Sequence, residues 1–250
     1  MTGEPNANIT LAGAAVIAHD GVNITLTLTE AMRVGALMFS GVPFVEYGDQ
    51  VNVGELVIPP GVLMDIGQNR QTQQFILPLL EFADRVRPSL IRVVIDFNDG
   101  TLDFYPSETL HRDMNKIDIT KIWLTNNTLG VGDTVTSEGY YRRFSLTDLG
   151  GILSGPTLLS NGPSAAFRVQ LNEIQRVSAL RFSNTSGGDL SGNILVELEA
   201  HAVTDLSLNT NEAQDSIPST EIPDTTPPSI SATATLHYGT GTLSVAFRET

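Results

Sequence analysis

Apolar and polar positions alternate along most of this chain. LIRVVIDF (Leu90 to Phe97) and the run TLDFYP that starts at Thr101 alternate with period two around Asn98-Asp99-Gly100. That pattern predicts an antiparallel hairpin, since Asn, Asp and Gly accept positive φ at low cost. ISATATLHY (Ile230 to Tyr238) and TLSVAF repeat the arrangement, more weakly, around Gly239-Thr240-Gly241. KIDITKIWLTN (Lys116 to Asn126), YYRRFSLTD (Tyr140 to Asp148), AAFRVQL (Ala165 to Leu171) and NILVELEA (Asn193 to Ala200) read as further strands, as do NITLA, VNITLTL and GELVIPP nearer the start. Turn clusters such as SNGPS and TSGGDLSGN separate them, and the regular spacing suits a β-sandwich. Period two also places Trp123 of Lys121-Ile122-Trp123-Leu124 in a strand, where it is expected to pack between sheets.

The alternation breaks in two places, and the two breaks resemble each other. LTEAMRVGALMFS (Leu28 to Ser40) and LNEIQRVSALRFS (Leu171 to Ser183) are identical at eight of thirteen positions. Thr29 or Asn172 is placed to cap a helix whose first turn holds Glu30 or Glu173. Val34 and Leu37, or Val177 and Leu180, lie three apart on one face. One short helix per copy is expected.

These phrases stand 143 positions apart, and other blocks keep their order at nearly the same offset. GVLMDIGQN (Gly61 to Asn69) faces HAVTDLSLN (His201 to Asn209), and EFADRVRPSL (Glu81 to Leu90) faces EIPDTTPPSI (Glu221 to Ile230), both at 140. NDGTLDFYPSET (Asn98 to Thr109) faces GTGTLSVAFRET (Gly239 to Thr250) at 141. Ordered self-similarity of this period is the signature of a tandem array. The expected organisation is residues 1–87 as the later part of one repeat, 88–227 as a complete repeat and 228–250 as the opening hairpin of a third. A chain phased this way reads as a window on a longer array, or as a subunit whose repeats are completed by strands from a neighbour. The linkers Asp84-Arg85-Val86-Arg87-Pro88-Ser89 and Asp224-Thr225-Thr226-Pro227-Pro228-Ser229 carry proline and should be stiffer than Gly/Ser connections.

Composition narrows the function classes. Lys+Arg 14 against Asp+Glu 28 gives a formal charge of -14, which argues against a nucleic-acid partner. The chain has no cysteine, so disulfides, thiolate catalysis and sulfur-rich metal sites are excluded. The apolar run ITLAGAAVIA is shorter than the roughly 20 residues a membrane-spanning helix needs, so no direct membrane insertion is expected of this segment. His19, His111, His201 and His237 are scattered, no Gly-x-Ser-x-Gly elbow occurs, and Ser186-Gly187-Gly188-Asp189 lacks the ending that grips phosphate. The reading is therefore not an enzyme. Asn8, Asn23, Asn126 and Asn184 begin Asn-x-Ser/Thr triplets and are candidate glycosylation sites. Tyr140, Tyr141, Arg142 and Arg143 form an aromatic and basic cluster in an acidic chain, a candidate interface.

The order Asp-Thr-Thr-Pro-Pro-Ser-Ile, strand, Gly-Thr-Leu, strand, Glu-Thr at 224–250, with Ala-Val-Thr-Asp-x-x-x-Asn at 202–209, resembles the tandem Ig-like or cadherin-like repeats of large microbial and algal cell-surface proteins. The repeats named after a cyanobacterial swimming-motility surface protein are one such group. The resemblance touches most of the chain, though the first linker departs from it, with Arg85 and Arg87 where the second has Thr-Thr-Pro. It implies an all-β fold of tandem Ig-like β-sandwich modules, an extracellular, cell-surface location and self-association into a fibre, coat or mastigoneme-like filament. The alternative it leaves is an adhesin or ligand-binding stalk module that depends on calcium. No cofactor is required, and calcium is the one candidate: Glu81, Asp84, Glu221 and Asp224 stand at the junctions where cadherin-like proteins place oxygen ligands, with Asp65 and Asp205 recurring upstream.

Overall fold

The computed structural model describes residues 8–19, 23–42, 53–126, 143–159, 166–190 and 192–247. It is mostly β, with 37% of residues in strands and 12% in helices. Its largest body is a curled sheet of eight strands: β5 (Leu90–Asp96), β6 (Thr101–Pro106), β7 (Ile122–Thr125), β8 (Arg143–Ser145), β9 (Ser154–Leu158), β10 (Phe167–Gln170), β11 (Leu195–Leu198) and β12 (Gln214–Ile222). The spatial order is β8-β7-β11-β12-β5-β6-β10-β9, antiparallel except where β12 runs parallel to β5. Three two-stranded hairpins stand outside it: β1 (Ala15–His19) with β2 (Ile24–Thr27), β3 (Glu55–Ile58) with β4 (Phe75–Pro78), and β13 (Ile230–His237) with β14 (Thr242–Phe247).

The expected hairpin around Asn98-Asp99-Gly100 is present, and alternation drives its burial. Val93, Ile95, Leu102 and Phe104 point into one shared core with Ile122, Phe144, Phe167 and Val196. Phe104 and Phe167 stack at 4.5 Å between ring centroids, joining β6 to β10. At fully buried positions such aromatic pairs add to the roughly 25 cal/mol per Å² of apolar burial.

Both expected helices form. Thr29 caps α1 (Glu30–Leu37) through Met32 N, and Asn172 caps α2 (Glu173–Arg181) with a full capping box. Helix α2 packs against the core of the curled sheet. Its Ala179 and the following Phe182 enter the core, and Phe182 meets Phe144 edge-on. Gln175 Nε2 donates to the carbonyls of Leu146 and Asp148, which satisfies a fully buried amide.

Hydrogen-bond registers recur along the chain. Glu55↔Pro78 and Leu56↔Leu77 reappear 140 positions on as Leu195↔Pro218 and Val196↔Ile217. Leu90↔Pro106 and Asp96↔Thr101 reappear as Ile230↔Phe247 and His237↔Thr242. The loops between the first pair recur as well: Asp65 and Asp205 each accept from the backbone N–H and side-chain amide of the Asn four residues later.

Several expectations need correction. NITLA (8–12) forms no strand; the chain turns at Leu11–Ala14 and the strand begins at Ala15. Asp118 caps a short 3₁₀ turn at Ile119–Lys121, so only Ile122–Thr125 of KIDITKIWLTN pairs in the sheet. Trp123 does not pack between sheets. Its neighbours Ile122 and Leu124 face the core, so period two turns Trp123 outward, where Nε1 donates to Glu199 at 2.8 Å and Arg143 stacks 3.9 Å from the ring centroid. The alternation predicts none of β4, β9 and β12, which contain Pro78, Pro156 and Pro218. β9 lies at the sheet edge, and the pairing of β12 with β5 starts only at Ser219, just past Pro218.

Candidate functional site

Of the features singled out in the sequence, the linker carboxylates are the most highly organised. Glu81 accepts from Gly41 N at 3.0 Å and Ser40 Oγ at 2.9 Å with one oxygen, and from Gly54 N at 3.0 Å with the other. Glu221 does the same one period later, accepting from Asn184 N at 2.9 Å and Ile194 N at 2.6 Å. Each glutamate ties the segment after a helix to the strand that follows. Burial raises the pKa of Glu221 against the pull of those two amides.

The aspartates three positions on close the clamp. Asp84 receives Arg33 Nη1 at 2.6 Å and turns its other oxygen to Val86 N at 2.9 Å. Asp224 receives Arg176 Nη1 at 2.8 Å and turns its other oxygen to Thr226 N at 2.9 Å. Each arginine also makes a forked pair with the glutamate of its own first helical turn, Arg33 with Glu30 and Arg176 with Glu173. These contacts raise the pKa of both guanidinium groups further. The arginines sit at the same position of the two repeated helix phrases, so the shared Glu-x-x-Arg spacing pins a linker Asp more than 45 positions downstream.

The first linker has further partners. Arg33 Nη2 reaches Glu108 at 3.2 Å, and the N–H of Thr109 donates to Glu30 at 2.8 Å, across to residues that follow β6. From the 205–209 loop, Asn209 Nδ2 donates to the carbonyl of Asp84 at 3.2 Å. The second linker is tied to the β5–β6 turn: Asn98 Oδ1 accepts from Thr225 N and Arg176 Nη1 donates to Phe97 O. Strand β5 starts beside the first linker and ends beside the second, so the two linkers lie at opposite ends of it.

Around the first clamp, ligand atoms of Asp84, Glu108 and Asp205 all lie within 4.8 Å of one another. Glu108 is 6% exposed, and its Oε1 has no hydrogen-bond partner. Burial, then the charges of Asp205 and Asp84, push the Glu108 carboxyl up to about 7 despite Arg33. Burial likewise raises Asp205. Glu30 goes the other way: burial opposes its charge, but the hydrogen bonds from Arg33 and Thr109 outweigh it and bring the group to about 2. Chemically, this group can hold a proton or a hard cation.

Among the four sequence-predicted metal positions, then, only Asp84 belongs to this group. Glu81, Glu221 and Asp224 are engaged by backbone amides or Arg176, and Glu108 joins from the far side. The order Asp84, Glu108, Asp205 spans distant segments with no Asp-x-Asp signature, so spacing did not reveal Glu108. Asn8, Asn23 and Asn184 are exposed, and Asn126 is half-buried with its amide nitrogen 3.3 Å from Asp189. Tyr140, Tyr141 and Arg142 lie outside the described residues. Arg143 pairs with Glu197 at 2.9 Å as well as stacking on Trp123. No helix of the described residues is long and apolar enough to cross a membrane. No family model matches the chain. No curated protein and no solved structure matches it either.

Proposed function

We propose that this chain is part of a structural, extracellular array of tandem Ig-like units, in a cell-surface fibre, coat or appendage, acting by length, stiffness and self-association. The observation that carries the reading is the recurrence of one linker clamp, Arg33–Asp84 with Glu81 and Arg176–Asp224 with Glu221, at opposite ends of β5. Units joined head to tail through the same pinned linker propagate in one direction, and each junction contributes a nearest-neighbour term to the stability of the whole. The repeated hairpin registers support 1–87, 88–227 and 228–250 as portions of successive units. Electron microscopy of native surface material tests the reading. Regular fibres with the unit spacing along their axis are the expected result; isolated flexible stalks carrying a separate tip domain would sink it.

A second reading, a stalk or adhesin module stiffened by calcium, is favoured by the convergence of Asp84, Glu108 and Asp205 beside the unpartnered Glu108 Oε1. Three carboxylates with water completing six to eight oxygens make an ordinary calcium donor set. Calcium added to chelator-treated protein should raise the thermal midpoint of the wild type and leave Glu108→Gln unmoved. An equal response in both, or none in the wild type, removes calcium from the junction.

A further inference from the structure

We propose that Asp84, Glu108 and Asp205 form a divalent-cation site for which Arg33 is a built-in competitor, so that cation binding and the Arg33–Asp84 clamp oppose one another. The proposal rests on the calcium reading and names what regulates that site.

Charge is the first observation. Arg33 Nε and Nη2 donate to Glu30 at 2.8 and 2.9 Å, Nη1 donates to Asp84 at 2.6 Å, and Nη2 also reaches Glu108 at 3.2 Å. One guanidinium thus answers three carboxylates, with Asp205 a fourth beside them. Arginine brings one positive charge where a calcium ion brings two.

The second observation is a bare oxygen. Glu108 is 6% exposed and Arg33 donates to its Oε2, while Oε1 has no hydrogen-bond partner among the described residues. A buried carboxylate oxygen without a donor favours a cation beside it. Arg33, held by its fork to Glu30, does not cover that atom. Asp205 is set in place by neutral groups: the N–H groups of Ser207 and Asn209 donate to Oδ1 at 2.8 and 2.7 Å, and Asn209 Nδ2 donates to Oδ2 at 2.9 Å. Only Asp84 and Glu108 are shared with Arg33.

The sharing makes the two cations rivals. Ligand atoms of the three carboxylates all lie within 4.8 Å of one another, and a calcium ion stands about 2.3–2.6 Å from each oxygen, so it fits among them. From there it would draw on Asp84 and Glu108 beside a guanidinium already 2.6 and 3.2 Å from the same groups. Like charges so close repel, and water screens little of that repulsion around a buried carboxylate. The linker aspartate is therefore pinned either to α1 by Arg33 or to Glu108 and Asp205 by the cation. Whatever Arg33 subtracts from cation affinity, the cation subtracts from the Arg33 clamp.

Isothermal titration calorimetry of calcium chloride into the chelator-treated 250-residue chain reads the competition. Arg33→Gln keeps an amide donor and removes the charge, and it should bind calcium about tenfold more tightly than the wild type, within the common range of coupling between sites. Arg33→Lys keeps the charge and should stay within about threefold of the wild type. Reciprocity gives a second readout: by chemical denaturation, the cost of Arg33→Gln should be about 1.4 kcal/mol smaller in saturating calcium than in chelator, which is that tenfold converted. A purely structural role for Arg33 predicts the reverse, because a damaged junction binds calcium less well. Equal or weaker binding by Arg33→Gln, or a cost that calcium does not change, overturns the competition and, with wild-type binding intact, leaves calcium at the junction standing. No calcium binding by any of the three proteins overturns both.

Discussion

Hairpins β5–β6 and β13–β14 share a turn conformation and a register, and differ in nearly everything else. One is flanked on both sides and buries Ile95, Leu102 and Phe104 completely; the other pairs with no further strand among the described residues and exposes Leu236, Leu243 and Val245. Pairing between adjacent strands is thus local, whereas burial belongs to the neighbours. The same contrast separates α1 from α2: the Arg176 side chain is almost fully buried between its partners, and that of Arg33 is about one-third exposed.

The sharpest break of this comparison is in the core. Phe104→Ala should lower stability by about 3–5 kcal/mol, since it leaves a cavity against Phe167. The matching Val245→Ala should stay within about 0.5 kcal/mol in dilute, monomeric protein, by chemical denaturation. Comparable losses at both sites would mean β14 is already covered.

Next come the clamps. Arg176→Ala removes a buried charge from Glu173, Asp224 and the Phe97 carbonyl and should cost about 3 kcal/mol. Arg33→Ala should cost about 1 kcal/mol, being more exposed to water. Small-angle scattering should nonetheless show a less fixed extension in the Arg33 variant, because Asp84 loses its pin to α1.

Titration separates two groups of the first clamp. Glu108 holds its proton more tightly in the folded chain, at about 7, than its ordinary 4.5. Stability should therefore fall as pH rises from about 4.5 to about 7, and Glu108→Gln should flatten that slope. Glu30 is displaced to about 2, so its contribution is present above 4.5 and is lost as pH falls toward 2. Denaturation at several pH values in both regions checks the two signs.

The smallest effect concerns the repeated loop. Asn69→Ala acts on an exposed bond to Asp65 and should cost about 0.5 kcal/mol. Asn209→Ala also loses the link to the Asp84 carbonyl and should cost about 0.5 kcal/mol more. Equal losses would show that the loop does not brace the linker.

The sequence by itself determined the strands with clean alternation, both capped helices and the spacing of the repeated blocks. Each depends on residues close together in the chain: Asn98-Asp99-Gly100 for a turn, Asn172 and Gln175 for a cap. It also marked Asp84 and Asp224 as junction residues. Only the tertiary structure decided what those carboxylates do. Arg33 and Arg176 reach them from helices, Glu108 and Asp205 meet Asp84 from segments far apart in sequence, and β12 joins the sheet despite Pro218 because β5 pairs beyond it. Local backbone preferences act within a few residues, but charge pairing and strand neighbours are set by how distant segments pack.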